Sequence, residues 1–451
     1  MSQTEKLTSS RDFPLDTVFA PISTARAGTD MYELMGRLWP ICRSLSGQGV
    51  RDSLAIIAGE LPGLRLLDVP SGTKCLDWQV PDEWNIRDAY LVGPDGNRLC
   101  EFKKNNLHVM GYSLPVDEEL DLDDLQNHLY SLPDLPTAVP YVTSYYRPRW
   151  GFCLTHEQRE RLQPGRYRAV IDATLAPGRL DFADLVLPGE SDEEVLLSTY
   201  VCHPSMANNE LSGPVVAVQL AKWLMAIPRR RYTYRFVFVP ETIGSIIYLS
   251  RHLDHLKQHV IAGFMINCVG DERAYGFMPS REGNSLSDRA GLHALRHHAT
   301  AFEQHSFLMR GSDERQYCSP GVDLPIASLF RSKYNTYPEY HTSLDDMTLV
   351  TPAGLLGGLQ AFQRAIQGIE ANATYTAQVL GEPNLGSRGL YPTTSTRDTF
   401  QIVFGLINVF GYADGKRDLL DVADLLDMPI WELAKAARDL QSHGLIARSD
   451  L

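Results

Sequence analysis

Two histidines and a glutamate stand where a folded chain could gather them into one metal site. His203 follows the apolar run Val195–Tyr200, and Glu241 follows a second apolar run, Phe236–Val239. Both runs predict buried strands, and open α/β sheets place their ligands at the carboxyl ends of such strands. His341 supplies a second imidazole further along the chain. Histidines and carboxylates in this arrangement indicate a zinc hydrolase.

Each of these residues also has an ordinary structural explanation. One histidine among thirteen is commonly structural or on the surface, and a glutamate after a strand commonly caps a helix or forms an ion pair. The order of the segments favours the metal site, because a fourth polar segment fits the same scheme. That segment, Gly311–Ser319, leads through Gly321–Pro325 into the apolar run Ile326–Phe330.

Taken in order, these segments resemble the co-catalytic zinc aminopeptidase family. That family has a histidine, an acidic loop ending in Ser-Gly, a Glu-Glu-x-Gly turn, a Ser-Asp-His…Gly-x-Pro segment and a Tyr-His-Thr. The matching segments here are His203, Asn209–Gly213, Glu241–Gly244, Ser312–Glu314 with Gly321–Pro325, and Tyr340–Thr342. More closely, the chain resembles an uncharacterised bacterial branch of aminopeptidase-like proteins with a C-terminal winged helix. This second resemblance rests on Arg43–Gly47, Pro81–Asn85 and Trp150–Cys153, and the two together cover nearly the whole chain.

The resemblance implies a zinc exopeptidase-like α/β fold, with a mixed, mainly parallel sheet flanked by helices. We expect the N-terminal helical part of the catalytic domain at 1–67 and an inserted β-rich domain at 68–165. The catalytic domain proper is expected at 166–391 and a winged-helix module at 392–451. The aromatic residues of the insert are expected first to form its core and secondly to cover the site.

Three family ligands are missing from this chain. Asn209 stands where the family has an aspartate bridging two metals, Thr242 replaces the second glutamate of the turn, and Asn267 replaces a further aspartate. Two dications about 4 Å apart need anionic ligands to offset their repulsion. We therefore expect one zinc ion per chain.

The resemblance also implies roles for the residues that remain. His203, His341 and a carboxylate, Glu210 beside Asn209, are the expected metal ligands, with Glu241 as general base and Tyr340 steadying the oxyanion. Cys202 or Cys318 could replace a missing ligand, although a buried cysteine is more often a small core residue.

Composition limits the class of protein. The chain has 451 residues and a net charge of −13, which argues against a nucleic-acid surface. Its start has no apolar signal core, and no run of roughly 18 apolar residues predicts a membrane span. Seven cysteines without a Cys-x-x-Cys spacing indicate reduced thiols. We expect a cytoplasmic protein that forms a homo-oligomer and binds neither nucleic acid nor membrane.

The C-terminal module is the one part that invites a DNA-binding interpretation. From residue 397 to 451 it has six lysines and arginines against nine aspartates and glutamates. Affinity for DNA depends on phosphate contacts, which require positive charge. Packing or dimerisation is therefore the expected role.

The predicted function is hydrolysis, by a zinc aminopeptidase-like enzyme, of an amide bond next to a free amino group in a small peptide or amino-acid conjugate. Acidic side chains would bind a substrate ammonium and arginines a carboxylate, although each could be an internal ion pair. The candidates are Arg310, Asp313, Glu314, Arg331 and Glu339. The alternatives are a biosynthetic amide hydrolase or acyl-transfer enzyme acting on a small molecule, and a metal-free interaction protein.

Overall fold

The structure is a computed structural model that describes residues 15–145, 147–391 and 397–449. Its strands are β1 Arg65–Pro70, β2 Lys74–Cys75, β3 Trp78–Gln79, β4 Glu83–Val92, β5 Arg98–Leu99, β6 Val116–Asp121, β7 Leu129–Tyr130, β8 Phe152–Cys153, β9 Arg166–Ala176, β10 Arg179–Leu187, β11 Glu194–Tyr200, β12 Thr233–Val239, β13 Val260–Ile266, β14 Gly276–Met278, β15 Glu303–Gln304, β16 Ile326–Phe330, β17 Thr374–Ala377, β18 Asp414–Asp418 and β19 Ile446–Arg448. Its α-helices are α1 Leu15–Phe19, α2 Ala25–Leu38, α3 Gln48–Glu60, α4 Leu122–Leu125, α5 His156–Glu160, α6 Ser212–Met225, α7 Ile243–His259, α8 Leu286–His298, α9 Glu314–Tyr317, α10 Pro352–Ala371, α11 Arg397–Gly411, α12 Leu419–Leu426 and α13 Ile430–Ser442.

A mixed sheet of eight strands forms the centre of the large α/β domain, the part of the chain expected from the sequence to be the catalytic domain. Its order is β1-β10-β12-β11-β13-β16-β14-β15, and the four central strands β12, β11, β13 and β16 run parallel. Every residue of β11 and β16 is buried, as expected for parallel strands that are covered on both faces. The mixed α/β fold predicted from the sequence is confirmed, and the carboxyl ends of the central strands meet at one edge.

Helices cover both faces of this sheet. One core packs helices α2, α6, α8 and α10 against it, with side chains such as Val216 and Phe362 fully buried. A second core on the opposite face contains α7, including Ile247, and the residue Tyr317. The sheet is therefore held rigidly between two layers, which fixes the loops at its edge.

The insert has its own antiparallel sheet, with strand order β5-β4-β9-β6. Its core includes Trp84, Tyr112, Phe152 and Tyr167. The long strand β9 pairs along most of β4 and continues to Ala176. The sheet of the insert thus extends past residue 165, where the sequence analysis expected it to end.

The C-terminal winged helix packs on the catalytic domain and shares its core. Its sheet has the order β18-β17-β19, so it includes residues 374–377, upstream of the expected start at 392. Leu419, Leu433 and Leu440 belong to the same core as α10. At this contact, Arg289 of α8 pairs with Asp418 at 2.5 Å, and the buried His293 pairs with Asp424 at 2.7 Å. Part of the acidic charge of the module is therefore used for docking.

Two further features concern the cysteines and the character of the helices. All seven cysteines are free thiols. Among the described residues, none of the helices has both the length and the apolar character that crossing a membrane requires.

Candidate active site

A cavity of about 360 Å³ opens where the central strands end. The catalytic domain and the insert both line it. Its described lining residues are Leu45, Trp78, Gln79, Pro81, Tyr141, Thr143, Tyr145, Cys202, His203, Glu241, Thr242, Ile243 and His341. The structure therefore brings together His203, Glu241 and His341, which the sequence analysis selected.

A buried carboxylate fixes the orientation of His203. The Oε2 atom of Glu210 lies 2.9 Å from His203 Nδ1, and its Oε1 atom accepts a hydrogen bond of 2.6 Å from the backbone N–H of Cys202. The opposite ring nitrogen, Nε2, lies 3.7 Å from Glu241 Oε2. A carboxylate that accepts the second ring N–H is typical of histidines that bind metals. Glu210 could therefore share an ion with His203 only through Nδ1, whereas an ion held by Nε2 would be out of its reach.

Arg43 provides the counter-charge for Glu210. Its Nε lies 3.6 Å from Glu210 Oε1, and both side chains are fully buried. The same Nε donates to the carbonyl of His203 at 3.1 Å, and another guanidinium nitrogen donates to the carbonyl of Leu38 at 2.6 Å. Arg43 thus contacts both the carboxylate of Glu210 and the backbone of His203, the histidine that Glu210 orients.

Cys202 also lies close to this network. Single potential ligand atoms of Cys202, His203 and Glu210 lie within 4.8 Å of one another. Burial raises the pKa of the Cys202 thiol to about 11, so the sulfur is protonated near neutral pH. The Sγ atom of Cys202 lies 3.3 Å from His203 Nδ1, so the three residues form one hydrogen-bonded network.

A strained turn directs Glu241 into the cavity. Thr242 has φ 65° and ψ −73°, and the N–H of Ile243 donates to the carbonyl of Glu241 at 2.8 Å. This is a γ-turn of the rare kind with positive φ, which is costly for a β-branched residue. Asp313 stabilises it by accepting the Thr242 N–H at 2.6 Å. Burial raises the pKa of Glu241 above its ordinary value, which suits a base acting near neutral pH.

His341 is held between two tyrosines. The ring of Tyr340 stacks on it at 3.9 Å and 14°, and the ring of Tyr141 approaches at 5.1 Å, edge to face. Burial, together with the nearby charge of His203, lowers the pKa of His341 to about 3. His341 is therefore neutral, with a lone pair available. Tyr340 lies against His341 and is not among the described lining residues of the cavity.

The loop of His341 also pairs with the insert. The backbone N–H of Tyr141 donates to the carbonyl of His341 at 2.9 Å, and Pro140 and Thr342 form an antiparallel bridge. His341 has φ 56°, a left-handed conformation that is uncommon for a residue other than glycine. No pattern in the sequence predicts this pairing, because it joins segments about 200 residues apart.

Asp345 connects this loop to the one that carries Glu210. Its carboxylate accepts the backbone N–H groups of Ala207, Asn208 and Asn209 at 3.1, 2.6 and 2.9 Å, and the Tyr337 hydroxyl at 2.9 Å. Burial raises its pKa to about 6. Sequence reasoning missed Asp345 and Arg43, although Arg43 lies in a segment that carried the family resemblance and Asp345 closely follows another, Tyr340–Thr342.

The three neutral residues that replace family ligands differ in their hydrogen bonds. Asn209 Oδ1 accepts from the Tyr200 hydroxyl at 2.8 Å, and Thr242 Oγ1 accepts from Arg315 at 2.9 Å. The buried amide of Asn267 has no hydrogen-bond partner within the described chain. The side chains at these three positions are all uncharged.

The five residues proposed for substrate binding do not line the cavity in the described chain. Arg310 is exposed and lies over the ring of Phe307, while Arg331 lies 4.0 Å over Tyr275. Glu339 forms two hydrogen bonds of 2.8 Å with Arg273. Asp313 is buried beside Thr242 with its pKa raised to about 8 by burial and by Glu241. Glu314 accepts from Tyr334 and from two backbone N–H groups. All five therefore have internal contacts.

Comparison with known proteins identifies relatives. A family model described as "Domain of unknown function (DUF4910)" matches residues 32–372, and one described as "winged helix-turn-helix" matches residues 373–448. A protein of Clostridium acetobutylicum named "Putative polysaccharide biosynthesis protein with aminopeptidase-like domain" is 40% identical over 426 residues, covering 94% of this chain and 97% of its own.

Two of the similar solved structures show how far the likeness extends. The crystal structure described as a "putative peptidase" from Clostridium acetobutylicum has a TM-score of 0.88 at 39% identity and covers 94% of this chain and 97% of its own. The zinc aminopeptidase BSAP from Bacillus subtilis has a TM-score of 0.56 at 14% identity, over 77% of this chain and 95% of its own. The second likeness shows that the fold is aminopeptidase-like.

Proposed function

Because this chain belongs to the DUF4910 family and combines an aminopeptidase-like fold with a winged helix, we propose that it is a zinc-dependent amide hydrolase. The observation that carries the proposal is the line Glu210–His203–Glu241. A buried carboxylate fixes one ring nitrogen at 2.9 Å and leaves the other facing the only carboxylate among the described lining residues of the cavity.

The donor set fits one zinc ion. His203 Nε2 and the neutral imidazole of His341 are the groups that would hold it, since both residues line the cavity and their ring centres lie 5.4 Å apart. Under this proposal Glu210 orients His203 and is not a ligand. A second ion lacks acidic ligands, because Asn209, Thr242 and Asn267 are neutral. Bound zinc would polarise the scissile carbonyl and acidify a water molecule.

The chain itself supplies the proton transfers. Glu241 would take the proton of the attacking water, since burial raises its pKa towards neutral pH. The same carboxylic acid would then give the proton to the departing amine. The strained turn at Thr242 keeps this carboxylate directed at His203 instead of towards solvent.

The name of the Clostridium relative supports a small molecule of a biosynthetic pathway as the substrate, in preference to a polypeptide. Seven free thiols support action in a reducing cytoplasm.

Metal analysis with matched variants tests the proposal. Protein purified without chelator should hold close to one zinc per chain, and His203→Ala or His341→Ala should lose it. Glu241→Gln should keep the metal and lose hydrolysis of an amide panel, while the control Glu339→Gln should keep both, since Glu339 pairs with Arg273 outside the cavity. Two tightly held zinc ions per chain would contradict the expected stoichiometry of one. Absence of bound zinc after zinc supplementation would refute the proposed hydrolase function. Loss of zinc from Glu241→Gln would make Glu241 a ligand.

A further inference from the structure

The cavity has few charged groups beyond the proposed catalytic ones. Among its described lining residues, His203, Glu241 and His341 are the histidines and carboxylates, and there is no lysine, arginine or aspartate. The acids that could have received a substrate ammonium make internal contacts, Asp313 with Thr242 and Ser245. Apart from Glu241, which the proposed reaction needs as its base, a substrate ammonium would find no carboxylate in this described lining, and a substrate carboxylate would find no lysine or arginine.

The remaining lining is aromatic or neutral and polar. The insert contributes the rings of Trp78, Tyr141 and Tyr145 together with the polar side chains of Gln79 and Thr143. The hydroxyls of Tyr141 and Tyr145 lie 2.9 Å apart, and burial raises the pKa of both well above the ordinary value. They are neutral phenols, which offer hydrogen bonds but no charge.

This combination matches the chemistry of a sugar. A pyranose has an apolar face of C–H groups, which packs on aromatic rings, and hydroxyls at its rim, which bond to amides and hydroxyls. An acylated amino sugar is also uncharged and contains the amide that the proposed reaction needs. The cavity volume of about 360 Å³ lies within the usual range for small-molecule sites.

Resting on the proposed hydrolase function, we propose that the substrate is an N-acylated amino sugar and that the reaction removes its acyl group. The oxygen of water bonds to the acyl carbon, the C–N bond breaks, and a proton passes to the leaving nitrogen. The products are a carboxylic acid and a free amino sugar.

Binding tests the substrate class separately from catalysis. The probes are methyl N-acetylglucosaminide, methyl glucosaminide and leucinamide, measured by calorimetry on zinc-loaded Glu241→Gln. The N-acetyl sugar should bind at least tenfold more tightly than either amine. Tighter binding of leucinamide, or equal binding of the two sugars, would overturn the proposal, since aromatic rings can also attract cations.

Matched tryptophan variants locate the sugar. Trp78→Ala should weaken binding of the N-acetyl sugar at least tenfold without changing zinc content. Trp150→Ala, whose ring stacks on His128 in the insert, should leave binding unchanged. If both variants weakened binding of the sugar equally, the sugar would not be bound against Trp78.

The two proposals fail in different ways. Zinc bound with hydrolysis of aminoacyl amides, but no binding of the sugar, would overturn the substrate class and leave the hydrolase standing. If the unmodified protein binds the sugar but holds no zinc and hydrolyses no amide, the proposed hydrolase function is refuted. The proposal that the cavity binds an amino sugar would then still hold.

Discussion

Replacing Arg43 with methionine should destabilise the catalytic domain by about 3–5 kcal/mol, because it leaves the charge of Glu210 buried without its partner. Both side chains of this pair are fully buried, 3.6 Å apart. Arg43 also donates to the carbonyls of His203 and Leu38. Burial lowers the pKa of Arg43, and the charge of Glu210 offsets part of that effect. Each buried charge is therefore stabilised by the other.

A double-mutant cycle separates the pair from its surroundings. Glu210→Gln alone should destabilise because it leaves the guanidinium buried, and Arg43→Met with Glu210→Gln should be more stable than the sum of the single effects predicts, by about 1–3 kcal/mol. The assay is urea unfolding followed by tryptophan fluorescence and circular dichroism. The exposed pair Arg168–Asp117, at 2.7 Å, is the control, and its cycle should give less than about 1 kcal/mol. Additive effects at Arg43 and Glu210 would refute the role given to this ion pair.

Three further predictions concern the orientation of His203, the buried Glu370 and the winged helix. Glu210→Gln should lower zinc affinity about 10–100-fold in competition titrations, because the glutamine amide favours the tautomer with a proton on His203 Nε2; unchanged affinity would contradict the orientation described. Burial raises the pKa of Glu370 from 4.5 to about 7, so the folded state binds the proton more tightly and stability should fall by about 3 kcal/mol as pH rises from 4.5 through 7. Glu370→Gln should flatten that dependence in urea titrations at several pH values, and an unaltered slope would show that another group is responsible. The full chain should give no DNA mobility shift at physiological salt, given the acidic winged helix, and a sequence-specific shift would disprove this.

The parts of the site that follow strands could be predicted from the sequence. Apolar runs before His203 and Glu241 become β11 and β12, because fully buried parallel strands require such runs. The supporting residues could not be found in this way. Asp345 contacts the backbone of Ala207, and Arg43 contacts His203, across more than a hundred residues with no periodic pattern between them. The roles of the proposed substrate residues depended on their neighbours, as the pairing of Glu339 with Arg273 shows.

The backbone pairing between Tyr141 and His341 constrains how this protein can change. The segment that carries the cavity's aromatic wall is hydrogen-bonded directly to the loop of a proposed metal-binding histidine. Substitutions that reshape the wall will also displace His341. Substrate preference and metal affinity should therefore evolve together, and libraries aimed at new specificity should be screened for retained zinc from the first round.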